Sequence, residues 1–317
     1  MIDFKKIKTV LVAGSIAYDE IMDFPDNFSN HLHPEKLHAL SVSFVVNKLE
    51  KQLGGTATSI AYNFALLNRV SVAVLGAVGR DGDAFIAFYK KHKIVTKYIV
   101  KDKKLYTSTG KVITDMQNNQ IWGFYYGASE NIPVIDFTVL DRQKTMLVLA
   151  ATHSNPFLHL QRAAIKSKLP YLYDPGMVLT WIDDKNLQQG VMNASVLVVN
   201  DYEMGLITKR LATSVEELVK KGIICITTLG SAGVLYQDRE QRVQVTGFNS
   251  AKELDPTGAG DTFRAGLVSG LIDGKELVEA LKQGNALASF TIESYGTTNH
   301  KPSRKQIAER MKTLKVM

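Results

Sequence analysis

The chain is 317 residues long, 45% hydrophobic and 22% charged, with 38 Lys+Arg against 31 Asp+Glu and a formal net charge of +7. That length suits two domains or one large α/β domain with an appendage, and the apolar share argues against a long disordered region. A single cysteine, Cys225, excludes a disulfide framework or a Cys-rich zinc site, and no apolar run reaches the roughly 20 residues of a membrane span. In chain order, a strand is expected at residues 10–13, after a start without a cleavage-site pattern, so a cytoplasmic protein is expected. An irregular, His- and aromatic-bearing stretch follows at 28–53. Helical patterns at 58–68, 84–92, 158–168, 215–220 and 275–293 then alternate with strand-like runs at 72–75, 146–150, 171–173, 196–199 and 223–227. Such alternation predicts an α/β fold, a mainly parallel sheet flanked by helices, with ligands at the carboxyl ends of its strands. Residues 104–126 break the rhythm and read as two strands meeting at Asn118-Asn119, which tolerates the positive φ of a tight hairpin. With the first irregular stretch they predict a small β-sheet lid, built from insertions at approximately 18–53 and 98–126 of a single 1–317 domain. Covering a site and making oligomer contacts are compatible roles for such a flap. The basic tail 301–315 carries Ile307, Met311 and Leu314 at helical spacing, and without interleaved aromatics it reads as a docked helix rather than a nucleic-acid site.

The chemistry concentrates in Asp255-Pro-Thr-Gly-Ala-Gly-Asp-Thr-Phe-Arg-Ala-Gly266, which opens a helical pattern. Small residues Gly258, Ala259 and Gly260 let backbone N–H groups approach an anion at a helix N-terminus. Asp261 is awkward for simple anion binding, because it repels the phosphate those amides attract. It makes sense as a base taking the proton of an attacking hydroxyl during phosphoryl transfer, with a helix cap as the plainer alternative. A Walker A loop, a Rossmann glycine fingerprint, an H-E-x-x-H pair and a GxSxG elbow are all absent, which demotes P-loop enzymes, nicotinamide dehydrogenases, zinc peptidases and serine hydrolases. Asp19, just past the first strand, suits two adjacent sugar hydroxyls or a simple cap. Gly54-Gly55 permits close backbone approach or a plain turn. Asn200-Asp-Tyr-Glu203 suits water-mediated Mg²⁺ and phosphate contacts or a helix start. Residues 227–233 form a nucleotide cradle or a hairpin turn. The run 76–82 reads as a strand-to-helix turn, and His31, His33 and His38 as surface or lid residues rather than metal ligands.

These motifs resemble, in order, those of the ribokinase-like, or phosphofructokinase-B, family of small-molecule kinases, over nearly the whole chain. The N-terminal segments Gly14-Ser-Ile-Ala-Tyr-Asp19, Phe24-Pro25, Pro34-Glu35 and Leu37-His-Ala-Leu-Ser-Val-Ser-Phe44 are most similar to bacterial adenosine kinases. The resemblance implies a ribokinase-like fold with a lid and transfer of the ATP γ-phosphoryl group to a nucleoside 5′-hydroxyl, adenosine being favoured. A sugar or sugar-phosphate kinase is the alternative, and a non-catalytic nucleoside-binding protein the more distant one. It further implies Asp261 as base, Gly258, Ala259 and Gly260 as anion hole, and Arg264 as added charge near the phosphate. Asp19 and Gly55 would hold the ribose, with Ser15, Ser43 and Ser59 around the nucleoside and Phe124 stacked on the base. Asn200, Thr228, Gly230 and Asn285 would line the ATP site, with Glu203 reaching Mg²⁺ through water and K⁺ as a further cofactor. A homodimer through the lid is implied as well. Three departures loosen the implied adenosine specificity: Ser59 where many members carry Asn, which removes or shortens a sugar contact, Met177 and Val178 in place of glutamines, and no second aromatic beside Gly110. The helix start is expected to keep Asp261 ionised and only weakly basic.

Overall fold

In the computed structural model, residues 2–32, 41–117, 119–133 and 135–317 are described. Nine strands form the large sheet, in the order β13-β12-β11-β10-β9-β8-β1-β4-β5. They are β1 (Thr9–Ala13), β4 (Ser71–Val78), β5 (Val95–Lys101), β8 (Thr145–Ala150), β9 (Tyr171–Asp174), β10 (Val196–Asn200), β11 (Ile224–Thr228), β12 (Val234–Gln237) and β13 (Arg242–Val245). Every pairing from β5 across to β11 is parallel, and β12 and β13 close one edge antiparallel. The central strands are mostly apolar, as suits strands covered on both faces; all six residues of β8 are buried. Alternation divides them between two cores, with Val10 and Val12 facing one and Leu11 and Ala13 the other.

On the first face lie α1 (Thr56–Leu67), α2 (Asp83–Lys91), α7 (Ala259–Ile272), α8 (Leu277–Thr291) and α9 (Arg304–Thr313). The tail helix α9 docks through Ile307 and Met311, followed by Leu314, at the spacing read from sequence. The second face carries α3 (Ser154–Ser167), α4 (Asp184–Asn193), α5 (Asp201–Arg210) and α6 (Val215–Lys220). Capping boxes set the starts of α5, α6 and α9, each a polar residue answered by Glu or Gln three positions on. Cys225 is buried in β11 with its thiol pushed up to about 12, which makes it a core residue. Among the described residues no helix is long and apolar enough to cross a membrane.

A separate four-stranded sheet forms the lid, ordered β3-β2-β6-β7 from β2 (Ala17–Asp23), β3 (Lys48–Gly54), β6 (Ser108–Thr114) and β7 (Gln120–Tyr125). Its second segment starts later than the expected 98, because β5 runs to Lys101 as the edge of the large sheet. Asn118 of the expected hairpin turn lies outside the described residues. Next to it, the Asp115 carboxylate accepts from the Gln117 and Asn119 amides at 2.9 and 2.8 Å and ties the turn to the Phe28 N–H at 3.1 Å. His31 does lie in the lid, paired with Asp26 and packed on Phe24, whereas His33 and His38 lie outside the described residues.

Candidate active site

α7 begins at Gly258, whose φ of +79° falls in the left-handed region that glycine adopts without strain. A Cβ there would also meet Thr297 Cγ2 at 2.7 Å. A helix start leaves its first N–H groups free for an anion. Ala259 is an exception: its N–H donates to the Pro256 carbonyl at 3.2 Å. Of the three residues expected to form an anion hole, Gly258 and Gly260 keep amides with no backbone partner outside the helix among the described residues.

Asp261 sits in the first turn of α7 against α1. Burial pushes its carboxyl up to about 6, against the pull of Arg264 and of the neighbouring Ser59 hydroxyl, while Asp19 repels it. At about 6 the carboxyl is still mostly ionised near neutral pH, but it is more basic than an ordinary aspartate because desolvation outweighs the nearby cation. Ser59 Oγ is buried and has no hydrogen-bond partner among the described residues. One turn further, Arg264 points under the glycine turn: its Nη1 lies 2.5 Å from where a Gly260 Cβ would stand. Its Nη2 donates to Asp174 Oδ1 at 2.7 Å, and both side chains are buried. Asp174, at the end of β9, is pushed up to about 7 by burial, Arg264 pulling it down and Asp261 and Glu203 repelling it.

The lid contributes Asp19 from β2. Its register places it opposite Gln52 on one side and Gly110 on the other. Glycines leave room for it, since a Cβ on Gly54 would fall 1.8 Å from Asp19 Oδ2. Burial and the Asp255 charge push Asp19 up to about 7. Gly55, at φ +85°, turns the chain into α1 directly against the Ser15 carbonyl. Ser15 itself is engaged there: its Oγ accepts from the Thr56 N–H at 3.1 Å and its carbonyl from the Ala57 N–H at 3.0 Å. It acts as a cap for α1 rather than presenting a free hydroxyl. Ser43 is exposed at the other end of the lid, beside Phe44, which packs on Phe24 and Phe28.

Phe124 pairs across from Gly110 on the lid face that carries Asp19. It packs edge-on against Tyr126, 5.0 Å between centroids, and Tyr126 against His153 at 5.1 Å. The Tyr126 hydroxyl reaches Met177 Sδ at 3.9 Å. His153 and Met177 follow the carboxyl ends of β8 and β9, and His153 Nδ1 is buried without a partner. Val178, by contrast, is fully buried in the second core and does not face the cleft. Tyr126 and His153 thus extend the aromatic surface beside Phe124 from outside the strand that carries Gly110. Tyr126, His153 and the role of Asp174 were not evident from sequence; the available signal was their position at or just beyond strand ends.

On the other side of α7, Asn200 caps α5: its Oδ1 accepts from the Glu203 N–H at 2.7 Å and Glu203 Oε2 from the Asn200 N–H at 2.9 Å. The plainer helix-start reading of this motif thus holds locally. Among the described residues no three acidic, His or Cys side chains converge as a metal cage. Glu203 Oε1 is free of protein donors among the described residues, so this carboxylate is open to contact with Mg²⁺, directly or through the hydration shell that the ion tends to keep. Thr228 ends β11, and Gly230 at φ +57° has open space above its Cα. Asn285 donates its amide to the Val245 and Thr246 carbonyls at 3.3 and 2.9 Å, so it braces the end of β13.

A cavity of about 560 Å³ opens between the lid face and the loop before α7, lined by Asp19, Val112, Trp122, Asp255, Thr257 and Tyr295. Another of about 550 Å³, lined by Lys6, Arg142 and Lys168, lies elsewhere and shares no residue with Asp19, Asp261 or Phe124. The cavity takes in Asp19 and the loop that leads into α7, Asp19 is close enough to repel the Asp261 carboxylate at the helix start, and Phe124 lies beside Asp19 on the same lid face.

Comparison with known proteins agrees. Residues 15–304 match the pfkB family of carbohydrate kinases. The nucleoside kinase of Methanocaldococcus jannaschii is 25% identical over 309 residues, 96% of this chain and 97% of that protein. The ribokinase of Bacillus subtilis is 25% identical over 260 residues, 81% of this chain and 86% of that protein. The Burkholderia thailandensis nucleoside kinase in complex with inosine superposes with a TM-score of 0.85 at 26% identity, covering 96% of this chain and 97% of its own. The chain therefore belongs to the pfkB family of carbohydrate kinases, with the ribokinase fold, and is a phosphotransferase with a hydroxyl acceptor.

Proposed function

We propose that this protein transfers the γ-phosphoryl group of ATP to the 5′-hydroxyl of a purine nucleoside, with adenosine the favoured acceptor. The observation that carries this reading is one lid face holding both Asp19 and Phe124, continued by Tyr126, His153 and Met177 at the ends of β8 and β9. A carboxylate beside an aromatic wall suits a ribose joined to a flat base, whereas a free sugar leaves the wall unused. ATP use is supported by the Burkholderia thailandensis nucleoside kinase solved in complex with ADP and inosine, 27% identical over 96% of this chain at a TM-score of 0.83.

In this reading Asp19 accepts hydrogen bonds from the ribose 2′- and 3′-hydroxyls, with the turn at Gly55 fixing the entry of α1. Asp261 takes the proton of the 5′-hydroxyl as the oxygen attacks phosphorus in line with the departing ADP oxygen. The amides of Gly258 and Gly260, with Arg264 behind them, stabilise charge on the transferred group. Mg²⁺, held through water by Glu203, neutralises nucleotide charge when bound. Thr228, Gly230 and the strand end braced by Asn285 line the ATP side. A requirement for K⁺ belongs to the same proposal through the family resemblance. Two lid edge strands, β3 and β7, present Leu49, Ile121 and Tyr125 to solvent, which supports a homodimer formed through the lid and testable by sedimentation equilibrium.

The test is Mg-ATP consumption with adenosine, inosine, ribose and fructose. Turnover led by a nucleoside is expected. A preference for ribose or fructose overturns the acceptor assignment in favour of a sugar kinase, and tight nucleoside binding without turnover points to a non-catalytic binding protein.

A further inference from the structure

Arg264 and Asp174 come together from α7 and β9 across 90 residues of chain. A buried pair serving stability alone is expected to have its donors filled, because each unfilled one adds to the desolvation penalty. This pair does not. Arg264 Nη2 meets Asp174 at 2.7 Å and the Val198 carbonyl at 3.4 Å, yet Nε is sealed without a partner. Nη1 has no acceptor among the described residues and lies directly beneath Gly260, at the turn where the Gly258 and Gly260 amides have no backbone partner outside the helix among the described residues. Only the absence of a side chain at Gly260 permits that approach.

Resting on the phosphotransferase reading of the Gly258–Asp261 turn, we propose that Asp174 is a positioning residue for catalysis. By holding the Arg264 guanidinium under Gly260, it aims a fixed positive charge at the place where the transferred phosphoryl group sits. The planar fork of arginine is suited to the task, since one Nη can be anchored while the other faces the turn. Charge placed before the reaction needs no reorganisation during it, so the clamp contributes to the transition state more than to nucleoside binding.

The experiment compares wild type, Asp174→Asn, Asp174→Glu and the neutral double variant Asp174→Asn/Arg264→Gln, each with Mg-ATP and inosine or adenosine, whichever wild type turns over faster. Wild-type inactivity on both nucleosides would count against the proposed acceptor, not the clamp, and the comparison is then made with ribose or fructose. Asp174→Asn is expected to lower kcat roughly ten- to a hundredfold with the KM for the acceptor nearly unchanged, and Asp174→Glu to restore part of the loss. The double variant removes the buried charge mismatch, so it should melt near the wild-type temperature while kcat stays low. Wild-type kcat in the folded double variant overturns the proposal, as does a loss confined to KM. Failure of both Asn-containing variants to fold makes the pair structural and likewise overturns it.

Discussion

Among single side chains, Asp261 has the most exposed prediction. Replacing it by Asn should lower kcat by at least about 10²-fold, the scale of one acid–base contribution, with nucleoside affinity little changed in a calorimetric titration; full turnover would refute the assignment. A base pushed up to about 6 must lose its proton before it can accept one from the acceptor. The kcat/KM of the free enzyme should therefore rise with pH through about 6 and level off above it. The limb belongs to the coupled set Asp261, Asp19 and Asp174 rather than to one residue. Asp19→Asn removes a charge that repels the Asp261 carboxylate, so the limb should move to lower pH while KM for the nucleoside rises. An unchanged limb would separate the two carboxylates. The placement of Gly258, Gly260 and Asp261 at one helix start was legible in the sequence because it is local, three positions within four residues of chain. Asp174 and His153 were not: what gives each its role is a partner 90 residues away or a lid strand, and no spacing rule encodes that.

At the scale of elements, the starts of α1 and α7 and the face of the lid define the cleft, and each has a distinct weak point. Gly258→Ala forces a side chain into a left-handed turn and against Thr297, so it should reduce kcat and lower Tm together. Gly54→Ala instead displaces Asp19 Oδ2, and should raise the nucleoside KM with kcat less affected. Substrate panels with Phe124→Ala and His153→Ala check the aromatic wall: both should weaken nucleosides selectively and leave any residual ribose turnover unchanged. The alternation of strands and helices was legible for the six central strands, because buried parallel strands and amphipathic helices differ in period, whereas the edge strands β5, β12 and β13, only partly buried, were not read. Side-chain commitments were less so. Ser15, Asn200 and Asn285 have residue types that suit ligand contacts, yet each is engaged with backbone groups, as an α1 cap, an α5 cap and a brace for β13. Hydroxyls and amides serve both roles with the same atoms, so only the folded position separates them.

Across the whole molecule, the acids of the cleft set the pH dependence of stability. Asp19, Asp174 and Asp261 have folded values raised to about 7, 7 and 6. Between their unfolded values near 4 and those folded values the native state holds more protons, so their stabilising contribution is present in acid and lost as pH rises. His300, buried behind α7 and lowered to about 4, works the other way over roughly pH 4 to 6.5. His92, also lowered by burial, works in the same direction as His300. Three acids against two imidazoles leave a net fall, so the Tm of the ligand-free protein should drop between pH 5.5 and 8; a flat or rising curve would show that the cleft carboxylates are not desolvated. The lid has a consequence of another kind. Ala17 pairs in parallel with Ser108, and the chain between them contains α1, β4, α2 and β5. The two halves of the lid can therefore meet only after an edge of the large sheet has assembled, at the entropic cost of closing a long loop. The order of assembly should be body first and lid last, and amide hydrogen exchange of the native protein should show its reverse. The β2–β6 ladder is expected to open well before β1 and β8 do, at a free energy below that of global unfolding.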